Sequence, residues 1–426
     1  MSQPPLTDKE EHRKYLAQYD IDPRKAMFTI ILSILVDVFG YSMVLPLLPT
    51  IAKTFGVSDF FVGILISSNA LTALVFGPIW GKLSDRYGRK PILVISQAGT
   101  GLSFLILALS PEVYMILFAR ILDGIFGGQI PVIRAYIADI TTPRSRSQEM
   151  SKIMVGHTAG MIFGPIIGGF LGSINWRYPS FLASALSILA ITLTLTVLIE
   201  SLPKERIADL KDHYEMMEKT TGNKRNIWNK EVFLRLVQIF LVFMINNMLT
   251  SSFPLILDKR FGVEPFVIGT IMSIAGIVIM AYAGLILKPA IRRIGEKWML
   301  IFSFFLMIIN FLIFPYLYEL WTAYLFVIPF AIGMASLPPL IQSNLSRAVD
   351  PDKQGAVSGF ATNFQSFAQI LAPLLSTFYL QIGDWAFSSL YFDAYQLIGF
   401  SAVFFGLILL TIGLIDIKTH PHLYEE

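Results

Sequence analysis

The sequence predicts an all-α membrane protein in which twelve transmembrane helices form two six-helix bundles related by pseudo-twofold symmetry. Hydrophobic residues make up 54% of the 426 residues and charged residues only 15%, whereas about a quarter of the residues in soluble domains are charged. The apolar residues fall into runs that reach the roughly 20 residues a helix needs to cross a bilayer. The two halves of the chain also repeat each other.

Twelve apolar runs account for most of the chain. The predicted spans lie at residues 27–49, 60–81, 91–109, 113–138, 149–172, 178–199, 232–255, 264–287, 298–316, 320–345, 356–380 and 394–416. The predicted domains are an N-terminal tail at 1–26, a first bundle at 27–199, a central linker at 200–230, a second bundle at 231–417 and a C-terminal tail at 418–426. The first apolar run is too long for the core of a signal peptide, so we expect no cleavable leader.

Positive charges are concentrated in every second connection between spans. The connection after the second predicted span carries Lys82, Arg86, Arg89 and Lys90. The alternate connections hold only Lys53, Arg177, Lys259 and Arg260. Because cytoplasmic loops carry the excess of Lys and Arg, we expect a multi-pass cell-membrane protein with both termini in the cytoplasm.

An internal repeat relates the two halves. The segment FGVSDFFVGILIS from Phe55 returns as FGVEPFVIGTIMS from Phe261, 206 residues later. RYGRKP from Arg86 is matched by RIGEKW from Arg293, and FGPII by LAPLL at an offset of 208. Each half therefore has six spans, and because six is even, both halves enter the membrane in the same orientation. Parallel repeats of this kind place a substrate site at the repeat interface near the bilayer midplane.

The connection between the second and third spans, GKLSDRYGRKP, resembles the signature loop of the major facilitator superfamily. The matching positions are Gly81, Asp85, Arg86, Gly88, Arg89 and Lys90. In that family the acid caps the N-terminus of the eleventh span, so the resemblance implies that Asp85 does so near Gly355. Such a cap is favourable because a helix N-terminus carries a partial positive charge. Asp139 is assigned to the same predicted conformational gate; a purely topogenic role for the basic loop is the alternative.

The fifth span contains GMIFGPIIGG, whose spacing resembles the motif of drug/proton antiporters. The motif residues are Gly160, Gly164, Pro165, Gly168 and Gly169. By themselves, the glycines indicate only a flat stripe that permits close helix packing, and the proline a site where the helix can bend. Antiport is what the resemblance implies.

The first span holds one ionisable residue, Asp37, in the run ILSILVDVFGYSMVLPLLP. The spacing Asp-x-x-Gly-x(5)-Pro-x-x-Pro, from Asp37 to Pro49, resembles the first span of tetracycline/proton antiporters and their multidrug relatives. A charged side chain at the bilayer centre costs at least ~2.5 kcal/mol, so such residues are functional candidates. We therefore predict Asp37 as the proton-coupling residue. Where the tetracycline exporters carry acids in spans three and nine, this chain has Gln97 and Asn310.

Asp37, Arg120, Asp123 and Arg134 are the ionisable residues predicted to lie clearly within spans. RILDG, from Arg120 to Gly124, resembles the family's Arg-x-x-Gln-Gly motif, with Asp123 in place of Gln. In a continuous helix the charges of the fourth span share a face, because eleven residues make about three turns. They form either a coupling network or a static neutral one. Polar residues predicted to line a substrate cavity are Tyr41, Asn246, Asn247, Gln365 and Gln369.

These features favour a secondary active transporter and not an enzyme. The sequence has no phosphate-binding Gly-Lys-Ser/Thr loop, no cysteine and no cluster with metal-ligand spacing. We expect a monomeric proton-coupled antiporter in the lipid bilayer that exports amphipathic organic solutes or drugs by alternating access, with no cofactor, metal or nucleic-acid partner. Two alternatives stay open: a proton-coupled symporter or uniporter for a sugar, metabolite or organic anion, and a transport-dead receptor on the same fold.

Overall fold

In the computed structural model the chain forms long helices joined by short turns. The structure describes residues 14, 16–202, 230–350, 354–387, 390–421 and 424. Most of the predicted N-terminal tail and most of the predicted central linker lie outside the described residues.

Among the described residues, eleven helical segments are long and apolar enough to cross a membrane. Spans 1 to 10 and span 12 are Pro23–Phe55, Asp59–Tyr87, Arg89–Leu109, Val113–Ile140, Lys152–Ile174, Tyr178–Thr196, Lys230–Phe261, Pro265–Ile294, Glu296–Tyr316, Leu320–Arg347 and Ala394–Thr419. Span 11 is the 29-residue helix Gln354–Ile382, which carries more polar side chains than the others. Each predicted span therefore corresponds to a helix, and the predicted all-α membrane fold is confirmed.

Several spans are interrupted, and one hairpin precedes span 12. The shorter elements are the helices Pro23–Val44 and Leu48–Phe55 in span 1, Val113–Gly127 and Ile130–Ile140 in span 4, Pro265–Ala281 and Leu287–Ile294 in span 8, and Glu296–Ile313 in span 9. The span 5 helix begins earlier, at Pro143, and runs unbroken to Ile174. Strands Trp385–Phe387 and Leu390–Phe392 pair antiparallel, with Trp385 opposite Phe392.

Contacts between helices divide the chain into two compact units. The first comprises Met1–Val44, Thr72–Gly164 and Arg177–Arg225, and the second comprises Leu45–Leu71, Pro165–Trp176 and Asn226–Glu426. The end of span 1, the beginning of span 2 and the end of span 5 thus pack with the second unit. The bundle boundaries predicted at residues 199 and 231 stay a prediction.

The first unit packs around branched aliphatic side chains. Ile30 and Ile34 of span 1 lie fully buried against Ile133 and Tyr136 of span 4. The Tyr136 hydroxyl donates to the Ile199 carbonyl over 2.7 Å, so the polar end of this ring is satisfied. Because lipid tails are as apolar as leucine, helices in a membrane are held by close packing and hydrogen bonds more than by transfer out of water.

The second unit has an aromatic core. Phe311, Phe314, Phe326 and Phe330 bring spans 9 and 10 together, with the Phe314 and Phe326 ring centroids 5.3 Å apart. Offset and edge-to-face ring pairs of this kind add about 0.5–1.5 kcal/mol beyond their buried area. The phenylalanines therefore give the second unit directional packing.

A fully buried ion pair ties span 7 to span 12. Arg235 Nη2 lies 3.0 Å from Asp416 Oδ1, and neither side chain is exposed. His420 Nδ1 lies 2.9 Å from the same oxygen, and the Tyr424 hydroxyl donates to the other one. Burial, together with this hydrogen bond, raises the pKa of Tyr424, which therefore stays a neutral donor at physiological pH. Arg235 and Asp416 thus add a buried ion pair, near the ends of spans 7 and 12, to the four charges predicted within the membrane.

We expect the Arg235→Gln variant to lower the thermal unfolding midpoint of the purified protein sharply. A buried carboxylate that loses its partner costs roughly 3–5 kcal/mol. The double variant Arg235→Gln/Asp416→Asn should lose less than the sum of the two single variants, because it leaves no unpaired charge. Lys152→Gln is the control, since its partner Glu149 lies in an exposed pair on one helix. Additive losses in this double-mutant cycle would contradict the coupling.

Candidate functional site

Asp37 lies in the middle of the span 1 helix and keeps some surface accessible. Gln129, Arg120 and Asp123 all lie close enough to act on its carboxylate electrostatically. Tyr41, one turn further along, is also half-buried and lies in the field of the same two charges. The structure thus brings the predicted coupling residue beside two of the three charges predicted in span 4.

Arg120 and Asp123 form a buried ion pair. Arg120 Nη2 lies 2.8 Å from Asp123 Oδ2, and the side chains are 6% and 7% exposed. The two residues are three positions apart on one helix, where side chains face each other. The guanidinium of Arg120 also lies over the Phe104 ring, 5.7 Å from its centroid. The pair neutralises itself, so the carboxylate of Asp37 is the third charge of this cluster.

Arg134 is separated from this cluster by a break in span 4. The helix ends at Gly127 and resumes at Ile130, and the Gln129 N–H donates to the Gly127 carbonyl over 2.8 Å. Two consecutive glycines weaken the helix, and Pro131 has no N–H to continue the ladder. The expectation that Arg134 shares the face of Arg120 and Asp123 assumed a continuous helix and does not hold. Arg134 is exposed.

Gln129 is a residue that the sequence analysis missed. Its side chain is only 1% exposed, and its Oε1 atom has no hydrogen-bond partner among the described residues. The sequence does contain a pattern that could have identified it, because Gly127, Gly128 and Pro131 favour a helix break. A polar amide at such a break in an apolar span is a candidate functional residue. The break places the Gln129 carboxamide next to Asp37.

The polar residues predicted for the second half lie on two helices of the second unit. Asn246 and Asn247 of span 7 and Gln365 of span 11 are half-buried, and Gln369 of span 11 is exposed. The Asn247 side chain donates to the Phe243 carbonyl over 2.7 Å. Carboxamides with accessible surface can both donate and accept hydrogen bonds. Their role as cavity lining stays a prediction.

The signature loop holds Arg89 in a dense network within the first unit. Its Nη1 atom lies 2.6 Å from Asp85 Oδ1, and its Nε atom 3.1 Å from Asp139 Oδ2. Nη1 also donates to the Ser84 hydroxyl over 2.7 Å. Arg89 is 6% exposed and Asp85 is 65% exposed. Asp85 is therefore an exposed carboxylate that forms an ion pair with the buried guanidinium of Arg89.

The outlying members of the predicted gate make fewer contacts. Arg86 is exposed, with its guanidinium 5.4 Å from the Tyr87 ring centroid. Gly81 is half-buried and lies beside Pro131. Gly355 is exposed near the start of span 11. The predicted cap of that helix by Asp85 stays a prediction.

Glu200 completes this network. From the sequence, Glu200 was predicted only as the first residue of the central linker, with no functional role. Its carboxylate accepts hydrogen bonds from the backbone N–H groups of Arg89 and Lys90 over 2.8 and 2.9 Å. These are the first residues of span 3, where unpaired N–H groups and the helix dipole favour an anion. Gly88 turns the chain there with a φ of 96°, and a Cβ at this position would meet the Glu200 carboxylate at 2.6 Å.

The second half contains the same ion pair with its charges exchanged. Glu296 occupies the repeat position of Arg89, and Arg347 that of Asp139. Arg347 Nη1 lies 3.0 Å from Glu296 Oε2. Gly295, the counterpart of Gly88, also has a positive φ of 88°. In both halves, therefore, a glycine turn precedes a span, and the start of that span forms an ion pair with the end of the following span.

The antiporter-like motif of span 5 packs closely on its neighbours. A Cβ at Gly160 would lie 2.9 Å from the Val38 side chain, and one at Gly164 would overlap Ser42 of span 1. The Ser42 hydroxyl donates to the Gly160 carbonyl over 2.9 Å. Beyond Pro165, a side chain at Gly169 would overlap the Pro265 carbonyl of span 8.

Pro165 and Gly168 are buried. Pro165 lies inside a helix that continues through it. The motif therefore serves close helix packing on both sides of the proline.

Comparisons with known proteins agree with this architecture. The chain is 30% identical over 361 residues to multidrug resistance protein 2 of Bacillus subtilis (strain 168), covering 83% of this chain and 89% of that protein. It is 26% identical to the class H tetracycline resistance protein of Pasteurella multocida, covering 93% and 98%. Among solved structures, the human organic anion transporter MFSD10 superposes with a TM-score of 0.67 at 19% identity, over 92% of this chain and all of that one.

The family model described as Major Facilitator Superfamily matches residues 30–373 and 235–419. The relatives and structural neighbours are transporters and not enzymes. With twelve spans, a repeated half and the signature loop between spans 2 and 3, the chain belongs to the Major Facilitator Superfamily of membrane transporters.

Proposed function

We propose that this transporter exports amphipathic organic solutes in exchange for protons, with Asp37 as the residue that takes up and releases the proton. The observation that carries the proposal is a half-buried carboxylate in span 1 beside the buried Arg120–Asp123 pair and Gln129. An ionisable group that stays accessible inside a span is a candidate for a proton relay.

The environment of Asp37 supports both protonation states. Arg120 and Asp123 place charges of both signs beside Asp37. Because Arg120 is already paired with Asp123, its charge does not hold Asp37 permanently ionised. Gln129 carries both a donor and an acceptor, so it can donate to the carboxylate and accept from the acid by turning its carboxamide.

The relatives support export and a multidrug-like substrate class. Multidrug and tetracycline resistance proteins are among the most similar curated proteins. Span 3 carries Gln97 and span 9 Asn310 where the resemblance to tetracycline exporters calls for acids, and both are buried. We therefore propose an amphipathic organic solute other than tetracycline. A cytoplasmic location of both termini and a monomeric state are part of the same proposal.

Transport of an organic anion is the second candidate function. Arg134 is exposed, and no ion pair to it occurs among the described residues. An accessible guanidinium within a span can attract an anionic group. This candidate allows either export or proton-coupled uptake, so the charge of the transported solute separates it from the first.

We expect proteoliposomes with an acidic lumen to accumulate the lipophilic cation ethidium when protons flow outward through the transporter. The anionic dye fluorescein, used in parallel, tests the second candidate. Fluorescence of each dye is followed after the pH gradient is imposed and after it is collapsed with an ionophore. Movement of either dye in the same direction as the protons would contradict antiport.

We expect Asp37→Asn to abolish gradient-driven accumulation of the transported dye, because an amide cannot exchange a proton in this pH range. Dye exchange without a gradient should continue, since the amide keeps the shape of the side chain. Glu112→Gln, at an exposed position before span 4, is the control. If the Asn variant accumulates dye at the wild-type rate, Asp37 is not the coupling residue.

We expect Gln129→Leu to slow gradient-driven transport several-fold and to change its pH dependence. The substitution removes a polar group that acts on the Asp37 carboxylate, and a hydrogen bond to a charged group contributes roughly 1.5–3 kcal/mol. Gln97→Leu is a closely matched control, because Gln97 is equally buried and donates instead to Ser33 over 2.7 Å. An unchanged pH profile in the Gln129 variant would show that its contact with Asp37 does not influence coupling.

A further inference from the structure

Two ion pairs within the second unit join spans 1 and 2 to span 7, at the end of span 2 that is farther along the helix from the signature loop. Lys53 Nζ lies 2.6 Å from Asp258 Oδ1. Lys259 pairs with Asp59. The acids are 11% and 12% exposed, whereas the lysines are 69% and 42% exposed. Each lysine therefore covers a carboxylate that would otherwise meet solvent, and we call this end of the spans the outer end.

The internal repeat gives these pairs a symmetric origin. Lys53 and Lys259 occupy equivalent positions, 206 residues apart, each two residues before the repeated Phe-Gly-Val. The acids are not equivalent, because Ala52 and Pro265 occupy the repeat positions of Asp258 and Asp59. Both halves thus place a lysine at the outer end. Lys53 of span 1 pairs with an acid of span 7, and Lys259 of span 7 pairs with an acid of span 2.

Helix ends make the two pairs unequal. Lys53 and Lys259 lie in the last turns of their helices and Asp59 in a first turn, where each charge is favoured by the dipole of its own helix. Asp258 lies three residues before the end of its helix at Phe261, where an acid is disfavoured. Asp258 therefore depends on Lys53 more than Asp59 depends on Lys259.

Beneath the ion pairs the helices approach too closely for side chains. A Cβ at Gly63 of span 2 would overlap Thr377 and lie 2.9 Å from the Pro373 carbonyl of span 11. A Cβ at Gly269 of span 8 would overlap the Pro165 carbonyl of span 5. The two glycines are repeat partners, as are the two prolines. The outer end is thus closed by two related glycine–proline crossings.

A hydrogen bond reinforces the crossing between spans 2 and 11. The Ser67 hydroxyl donates to the Ile370 carbonyl over 2.7 Å. Thr377, next to Gly63, is fully buried. A solute that enters from the outer end would have to separate these contacts first.

We propose that Lys53–Asp258 and Asp59–Lys259 form a double ion-pair latch that holds the outer ends of spans 1, 2 and 7 closed and separates when the transporter opens outward. The latch depends on neither the identity of the substrate nor Asp37. Exposed ion pairs are individually weak, and each shifts a two-state population by roughly 1.4- to fivefold. Acting together, the pairs give a shift of about two- to twenty-fivefold, which keeps the latch reversible.

The latch can be tested by cysteine accessibility, because the chain contains no cysteine of its own. Thr377→Cys places one thiol beneath the latch at a position that is buried in the closed state. The probe is a small polar maleimide added to the purified protein in detergent, so no assumption about membrane sidedness is needed. The measured quantity is the rate of thiol modification.

Lys53→Gln combined with Lys259→Gln should raise the modification rate of Thr377→Cys by about two- to twenty-fivefold. The charge exchange Lys53→Asp/Asp258→Lys should return the rate of the Lys53→Asp variant toward the parent value. Lys152→Gln, which breaks an exposed ion pair within span 5, should leave the rate unchanged. An unchanged rate in the double lysine variant, or a charge exchange that restores nothing, would overturn the latch.

Salt provides a second measurement that needs no substitution in the latch. Because exposed ion pairs are screened over about 3 Å at 1 M salt, modification of Thr377→Cys should accelerate between low and high salt. The double lysine variant should lose this salt dependence. Equal salt dependence in both backgrounds would overturn the proposal even where a charge variant folds poorly.

Discussion

A charge placed in hydrocarbon must find a partner or an aqueous surface, and the polar architecture of this protein follows from that constraint. Charged side chains in spans are costly, and lone buried charges are worse than pairs. The structure meets the constraint with self-contained pairs, namely Arg120–Asp123 in the first unit and Arg235–Asp416 in the second. Asp37 differs, because it has accessible surface, makes no ion pair among the described residues and lies close to a neutral amide, Gln129.

The two buried pairs have different consequences. Around Arg235–Asp416, His420 and Tyr424 also contact the carboxylate, and both charged side chains are fully buried, so this site is structural. Arg120–Asp123 borders the half-buried Asp37 and Tyr41. A neutral pair beside a titratable acid can tune that acid without fixing its charge. The difference between structural and functional charge is therefore one of access.

The exchanged ion pairs at Arg89–Asp139 and Glu296–Arg347 show how a repeat can diverge while its geometry persists. The attraction between two charges depends on their product, so reversing both signs preserves it. What the reversal changes is the neighbourhood. In the first half the Arg89 side chain also donates to the exposed Asp85, and its backbone N–H donates to the Glu200 carboxylate. In the second half Glu296 begins its helix directly, where an acid is favoured by the dipole.

The sequence by itself determined the number of spans, the repeat, the family resemblance and the position of Asp37. An apolar run of this length forms a helix in lipid, because a helix satisfies its own backbone hydrogen bonds. The repeat is visible in the sequence because the spacing between matching segments does not depend on how the helices pack. Tertiary structure alone decided which charges meet. Asp416 pairs with Arg235 across 181 residues, and Glu200 reaches Lys90 across 110.

No local pattern encodes such distant partners, because they depend on how helices pack and not on periodicity. The break at Gln129 similarly overrode the eleven-residue periodicity assumed for Arg134, since two glycines and a proline ended the helix between them. Local composition therefore decides what crosses the membrane, whereas packing decides which polar groups are paired and which remain accessible for chemistry.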